Sequence, residues 1–370
     1  MNTTRSVALA IGLFAAAPSA FAQSQSASAA SGAHIQEFSF GAGSDVSSAR
    51  LLLVPLAYQA RLTDGVVLDG YAAYAAGSVR AGNETFELRG PVDSWARLRW
   101  AATPWAVVAL GASVPTGVSR HSPSEAVVAN ILSSDLLGFR EGNWGAGGSV
   151  TAGISTASSV GAARLTMGLS YRVTGSFDPR TDTSVKYAPG NETRARVGLG
   201  ADVFGGHFES GLTAQRFSVD RLNQKNLFQS GTRLRADMSY DGGAWSAYAA
   251  DLWRARGEIT LPVLNVIDGS VERDTTTIVG WQNLALGGIS ASLPIGGGDV
   301  VQPLLEAKWR QRSDFGGRGW ITSVGAGLPF RMFGLDAFPQ AKLSRGALVP
   351  SDASGYRDLW GAELSVVLRR

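Results

Sequence analysis

Between residues 192 and 203, two kinds of side chain alternate without a break. Thr193, Ala195, Val197, Leu199, Ala201 and Val203 fall on one side, and Glu192, Arg194, Arg196, Gly198, Gly200 and Asp202 on the other. A period of two belongs to extended backbone, whose successive side chains point to opposite faces, so the two faces of this segment meet different solvents. The same split recurs. Leu165, Met167, Leu169, Tyr171 and Val173 oppose Arg164, Thr166, Ser170 and Arg172; Leu234, Ala236, Met238 and Tyr240 oppose Arg233, Arg235, Asp237 and Ser239; Val301, Pro303, Leu305, Ala307 and Trp309 oppose Glu306, Lys308, Arg310 and Arg312. Alternation alone fits a soluble sandwich as well as a membrane barrel. Strand length separates them, because these runs reach about 10 to 14 residues, where soluble strands average about five or six and a tilted bilayer-crossing strand needs about 9 to 11.

The connections point the same way. Short turns near 61–65, 102–105, 158–160, 204–207, 241–244, 293–299 and 329–334 alternate with long loops near 77–91, 116–143, 175–191, 219–230, 257–274 and 346–356. Short turns on one side and long loops on the other are how outer-membrane barrels are built. Tryptophans recur near strand ends (Trp95, Trp100, Trp105, Trp144, Trp245, Trp253, Trp281, Trp309, Trp320 and Trp360), the depth at which an indole straddles lipid and headgroups. Counted from residue 48 the strands are odd in number; adding residues 35–43, with Phe38 and Phe40, restores parity. The expected fold is all-β: a transmembrane antiparallel up-and-down β-barrel of about 14 to 16 strands, with one helix in a long outer loop.

Ahead of the barrel, Arg5, an apolar run from Val7 to Ala17, Pro18 and the tripeptide Ala20-Phe21-Ala22 read as a secretory signal over 1–22. The run is far shorter than the roughly 20 residues of a spanning helix. Residues 23–34, mostly Ser, Ala and Gln, read as a flexible leader, and 35–370 as the barrel. No Cys is present, which excludes a disulfide scaffold and a thiolate metal site. The net charge of +3 excludes nucleic-acid binding by bulk charge.

The polar strand faces would turn Arg97, Arg99, Arg164, Arg172, Arg194, Arg196, Arg233, Arg235, Glu306, Lys308 and Arg310 towards the lumen. Bases outnumber acids there, which favours anions if the lumen is wet; the alternative is a ladder of ion pairs that fills it. In the longest outer loop, Ser122, Pro123 and Glu125 spell a capped helix start. The helix is expected to run to about Leu137, with Gly138 as its stop, and Val127, Val128, Ile131, Leu132 and Leu136 give it a broad apolar side. This gate helix is either a lid packed on neighbouring loops or the lining of an entrance for apolar solutes. The three histidines, His34, His121 and His207, are too dispersed to hold a metal, and no catalytic residues or cofactor are expected; His121 beside Ser122 lacks the orienting third group of a hydrolase.

The run Leu110 to Gly117, a strand ending in Pro115-Thr116-Gly117 before a helix-bearing loop, and Tyr187-Ala188-Pro189-Gly190 before a strand resemble the long-chain fatty acid transporters and the barrels of phenol-degradation pathways. That resemblance implies passive uptake of apolar molecules, with an N-terminal plug and a lateral opening in the wall. Taken together, these features describe a non-enzymatic, porin-like channel of the Gram-negative outer membrane for small, hydrophobic solutes. Its partners are membrane lipid, the solutes and the barrel-assembly machinery. The rivals are a structural or adhesive barrel with a closed, ion-paired lumen and, more distantly, an outer-membrane hydrolase. If the apolar faces are matched to lipid, the mature chain will require detergent for solubility. On gels the unheated protein should run ahead of the boiled one; a detergent-free, monodisperse chain would dismiss the barrel.

Overall fold

The computed structural model describes residues 27–141, 144–182, 184–228, 231–256, 259–264, 271–277, 280–296, 299–313, 317–349 and 355–370. The signal segment lies outside them. Sixteen antiparallel strands form one closed barrel. They are β1 Ala27–Phe40, β2 Val46–Thr63, β3 Val66–Ala81, β4 in two pieces (Glu84–Pro91 and Ser94–Thr103), β5 Ala106–Val114, β6 Ser149–Val160, β7 Ala163–Thr174 and β8 Glu192–Val203. The circuit continues through β9 Gly206–Phe217, β10 Gly231–Asp241, β11 Trp245–Arg256, β12 Gly280–Ala291, β13 Asp299–Arg312, β14 Gly319–Gly327, β15 Leu335–Leu348 and β16 Arg357–Arg369. Closure comes from β1 against β16, in register from Ala30↔Arg369 to Phe40↔Leu359. In lipid every backbone group must find a partner within the protein, and only a closed circuit of strands provides that.

Val197 and Leu199 are 46% and 43% exposed on the outer face, while Arg194 and Arg196 lie on the other face of the same strand. Two aromatic belts border the apolar exterior. Trp253, Trp281, Trp309, Trp320 and Trp360 stand towards the loop end, and Trp100, Trp105 and Trp245 towards the turn end. The turns at Phe204-Gly205 and Phe333-Gly334 hold both residues at positive φ (52° and 75°; 51° and 78°), the two-residue hairpin geometry that a bulky side chain resists. The two phenylalanines are 96% and 93% exposed, a placement that water would penalise and a membrane interface rewards.

Several expectations shift. The first strand starts at Ala27, so residues 27–34, read as leader, are wall: Ala27 to Ser31 pair with Ala60 to Leu56 of β2. Low side-chain bulk signals disorder only when no neighbouring backbone offers partners. Residues 77–91, read as a loop, are a strand hairpin turning at Gly82 (φ 57°). The loop strands Tyr187–Ala188, Asp220–Leu222, Lys225–Phe228, Ile259–Leu264 and Val271–Thr277 join in a second, five-stranded sheet. Trp95 is stacked on Tyr71, and Trp144 is wholly buried; neither belongs to a girdle.

The hydrophobic core sits inside the barrel near the loop end, where Phe38, Ala49, Leu51, Leu53, Ala75, Val79 and Leu88 turn inward onto the β5–β6 loop. These outward and inward assignments make a single test possible: Leu199→Arg should cost about 2 to 4 kcal/mol of folding stability if the residue lies near the bilayer midplane. Equilibrium refolding into lipid vesicles measures it, and an unchanged midpoint would mean that the faces are inverted.

Candidate functional site: a loop folded into the barrel

Strand β4 breaks at Gly90-Pro91, where Gly90 has φ 153° and proline supplies no N–H to the ladder. Asp93, just past the break, fastens both legs of the β5–β6 loop. Its Oδ1 accepts the Gly117 N–H (2.9 Å), its Oδ2 accepts the Ala146 N–H (2.7 Å), and its own N–H donates to the Trp144 carbonyl (2.8 Å). Beside it the Thr116 hydroxyl donates to the Val92 carbonyl (3.0 Å) and accepts from the Ser94 N–H (2.9 Å). A Cβ on Gly117 would stand 1.8 Å from the Trp144 carbonyl oxygen, so only glycine fits. The Pro-Thr-Gly run thus has a local purpose here, as the hinge by which the loop leaves the wall and turns inward. At the same break a cavity of about 230 Å³ opens in the wall between Leu56, Tyr58, Tyr71, Trp95 and Val114.

The helix α1, Pro123–Leu132, begins with the expected capping box: Glu125 N–H donates to Ser122 Oγ (3.3 Å) and Ser122 N–H to Glu125 Oε2 (2.8 Å). Engaged by Glu125 and Ser124, Ser122 Oγ is an N-cap and not a nucleophile paired with His121. The helix ends at Leu132, short of Leu137, because Ser133 Oγ takes the Asn130 carbonyl and a separate turn follows, closed by Gly138 N–H to Ser134 O with Gly138 at φ 65°. Val128, Leu132 and Leu136 are fully buried, and Val127 and Ile131 pack partly against the same core. Their partners are the inner barrel wall and not neighbouring loops. Trp144 completes the seal, its indole N–H on the Ala75 carbonyl (3.1 Å); a Cβ on Gly77 would strike Leu132 at 2.5 Å.

Beyond the helix, residues 133–140 contact β11 to β13 on one side and β16 and β1 on the other. Asp135 meets the Arg310 guanidinium of β13 (2.5 Å), the Gln282 amide of β12 and Arg254 of β11 (3.8 Å). Leu137 O accepts from Gln36 (3.2 Å), Phe139 stands edge-on to Phe38 (5.4 Å), and Arg140 reaches Glu363 (3.3 Å). Burial pushes the Asp135 carboxyl up, but Arg310, with Arg254 and Gln282, outweighs it and holds the group below its ordinary value.

The charged residues of the wall fall into clusters. Asp69 lies between Arg97 (3.0 Å) and Arg99 (2.8 Å); Glu192 between Arg194 (2.7 Å) and Arg172 (3.9 Å); Asp237 between Arg196 (2.8 Å) and Arg235 (3.4 Å). Each carboxylate meets two guanidiniums, so each trio carries one surplus positive charge. Arg233 sits over the Phe217 ring, and Arg164 lies near the turn end of β7. On the β11–β16 side the acids gain ground: Lys342 bridges Glu306 (3.0 Å) and Glu363 (2.8 Å), and Tyr248 OH donates to Glu306 (2.7 Å). Lys308 lies next to Gly138 of the loop. Among the described residues no group of His, Asp and Glu forms a metal site. Sequence reasoning missed Asp69 and Asp135 and misplaced Trp144. Asp69 carries a signal, an acid inside an otherwise apolar strand (Val66-Val67-Leu68-Asp69-Gly70); Asp135, set in a loop, carries none.

No family model matches the chain, and no curated protein does. Solved structures match it in shape. OccK5 of Pseudomonas aeruginosa aligns at 12% identity and a TM-score of 0.50, over 93% of this chain and 98% of that one. OccK1 of the same organism aligns at 10% and 0.50, over 93% and 98%. The fold is that of an outer-membrane barrel. The outer membrane protein OprD of P. aeruginosa matches at 11% and a TM-score of 0.49, over 94% of each chain. These neighbours do not place the chain in the fatty acid transporter group that its Pro-Thr-Gly run resembles.

Asp135, with its lowered pKa, stabilises the docked loop at and above the ordinary carboxylate range, and that contribution is lost only as the pH falls through the depressed value. At pH 7 Asp135→Asn should weaken docking by about 1 to 3 kcal/mol. Current recordings should then show loop-driven flicker at neutral pH that the parent protein shows only in acid; identical noise in both would mean that Asp135 does not hold the loop.

Proposed function

We propose that the protein is a passive outer-membrane channel for small anionic solutes. The observation that carries this reading is the set of three carboxylate–diarginine trios on the inner faces of β3–β4, β7–β8 and β8–β10, in a lumen that residues 133–140 enter to contact β11–β13 and β16. A narrowed lumen with low-dielectric walls concentrates the field of such groups, and guanidiniums offer paired donors to carboxylate or phosphate oxygens. The loop narrows the passage and the trios set its sign. Hydrophobic solutes, which the sequence resemblance implied, find less support: the apolar side of α1 is occupied by the barrel wall and is not free to line an entrance. The closed-lumen alternative draws on the same ion pairs, but each trio holds two guanidiniums to one carboxylate.

Planar-bilayer recordings across a salt gradient test the proposal. Stepwise conductance with a reversal potential on the anion side is expected, and Arg194→Gln combined with Arg235→Gln should move that potential towards zero. Absence of conductance from a correctly folded barrel would favour the structural or adhesive reading, and cation preference would overturn the assignment of solute charge.

A further inference from the structure

Between the two aromatic belts the outer face should be apolar, and on β11 and β12 it is not. Tyr248 of β11 reaches Glu306 in the lumen, so the alternate residues Trp245, Ala247, Ala249, Asp251 and Trp253 face outward. Asp251 therefore points to the membrane, one step along its face towards the hydrocarbon from Trp253 and well above Trp245 at the turn end. It is exposed, and its Oδ1 accepts a hydrogen bond from Asn283 Nδ2 on the outer face of β12. Among the described residues it meets no cation. Glu37, on the outer face of β1, differs in this respect, since it stands directly opposite Arg50 and close to the loop end.

A carboxylate facing acyl chains is costly, and polar groups at membrane depth are kept where other protein covers them. The pair also has unused capacity. An amide has two N–H groups and one oxygen and a carboxylate two oxygens, so after the bond between them one N–H donor remains beside two acceptor oxygens, Asp251 Oδ2 and Asn283 Oδ1. The geometry points to a second copy of this chain covering this face. The two copies would be related by a two-fold axis along the membrane normal, with Asn283 of each donating to Asp251 of the other. A two-fold contact requires a patch that is complementary to itself, and adjacent leftover donor and acceptor groups meet that requirement. The surrounding outward positions, Ala249, Ala285 and Gly287, carry too little bulk to keep the second wall away. The inference does not depend on what the lumen conducts.

Cysteine cross-linking in intact membranes tests it. Ala249→Cys should give a cross-linked species of twice the chain mass, and Leu110→Cys, exposed on the distant β5, should not. Adding Asp251→Leu and Asn283→Leu to the Ala249→Cys chain should lower the yield at least fivefold, with heat-dependent gel migration confirming that each variant still forms a barrel. The proposal is overturned if Ala249→Cys cross-links no more than Leu110→Cys, if the leucine pair leaves the yield unchanged, or if the product has the mass of a complex with a different protein.

Discussion

A peptide group in hydrocarbon has no water to turn to, and this constraint orders everything else in the molecule. It demands that β1 find both β2 and β16, which draws residues 27–34 into the wall although nothing in their side chains asks for a strand. The phase of each strand is fixed by its side chains, since a shift by one residue would exchange a leucine facing lipid for an arginine facing the lumen. The even strand count follows from that closed antiparallel circuit, and the outer belts and the charged interior from the alternation of side chains across it.

The same circuit explains the break in β4. Beyond Gly90-Pro91 the wall needs other partners, and the β5–β6 loop provides them: Val118 N–H bonds to the Pro91 carbonyl, and Asp93 receives amides from both loop legs. Having been fixed there, the loop must place its apolar side somewhere dry. The inner surface of β1 to β4 is shaped for it, with alanine and glycine at 49, 75 and 77 leaving room and Leu51, Leu53, Val79 and Leu88 making contact.

What the sequence disclosed and what it withheld divide along physical lines. Period-two alternation and girdle tryptophans are local and repetitive, so the barrel, the faces of β8 and the cap at Ser122 were legible. The docking of the loop was not, because it depends on residues far apart in the chain. One clue was present. Leu51-Leu52-Leu53-Val54-Pro55-Leu56-Ala57 is apolar on both faces, and a strand with two dry faces needs an apolar neighbour on the lumen side as well as lipid on the other. The pairing of each lumen carboxylate with two arginines was hidden for a similar reason: Asp69 meets Arg97 and Arg99 only through the β3–β4 register.

Mechanically, the inserted loop resembles a beam clamped at its root and pinned at its tip. The clamp is Asp93 with the buried Trp144, helped by the contacts of Leu137, Phe139 and Arg140 with β1 and β16, and the pin is Asp135 against β11 to β13. A beam held in this way has one soft degree of freedom: if the pin lets go while the clamp holds, the tip swings and the root stays still. Any widening of the passage would therefore be lopsided, growing along β11 to β13 and leaving the β1–β4 flank as narrow as before.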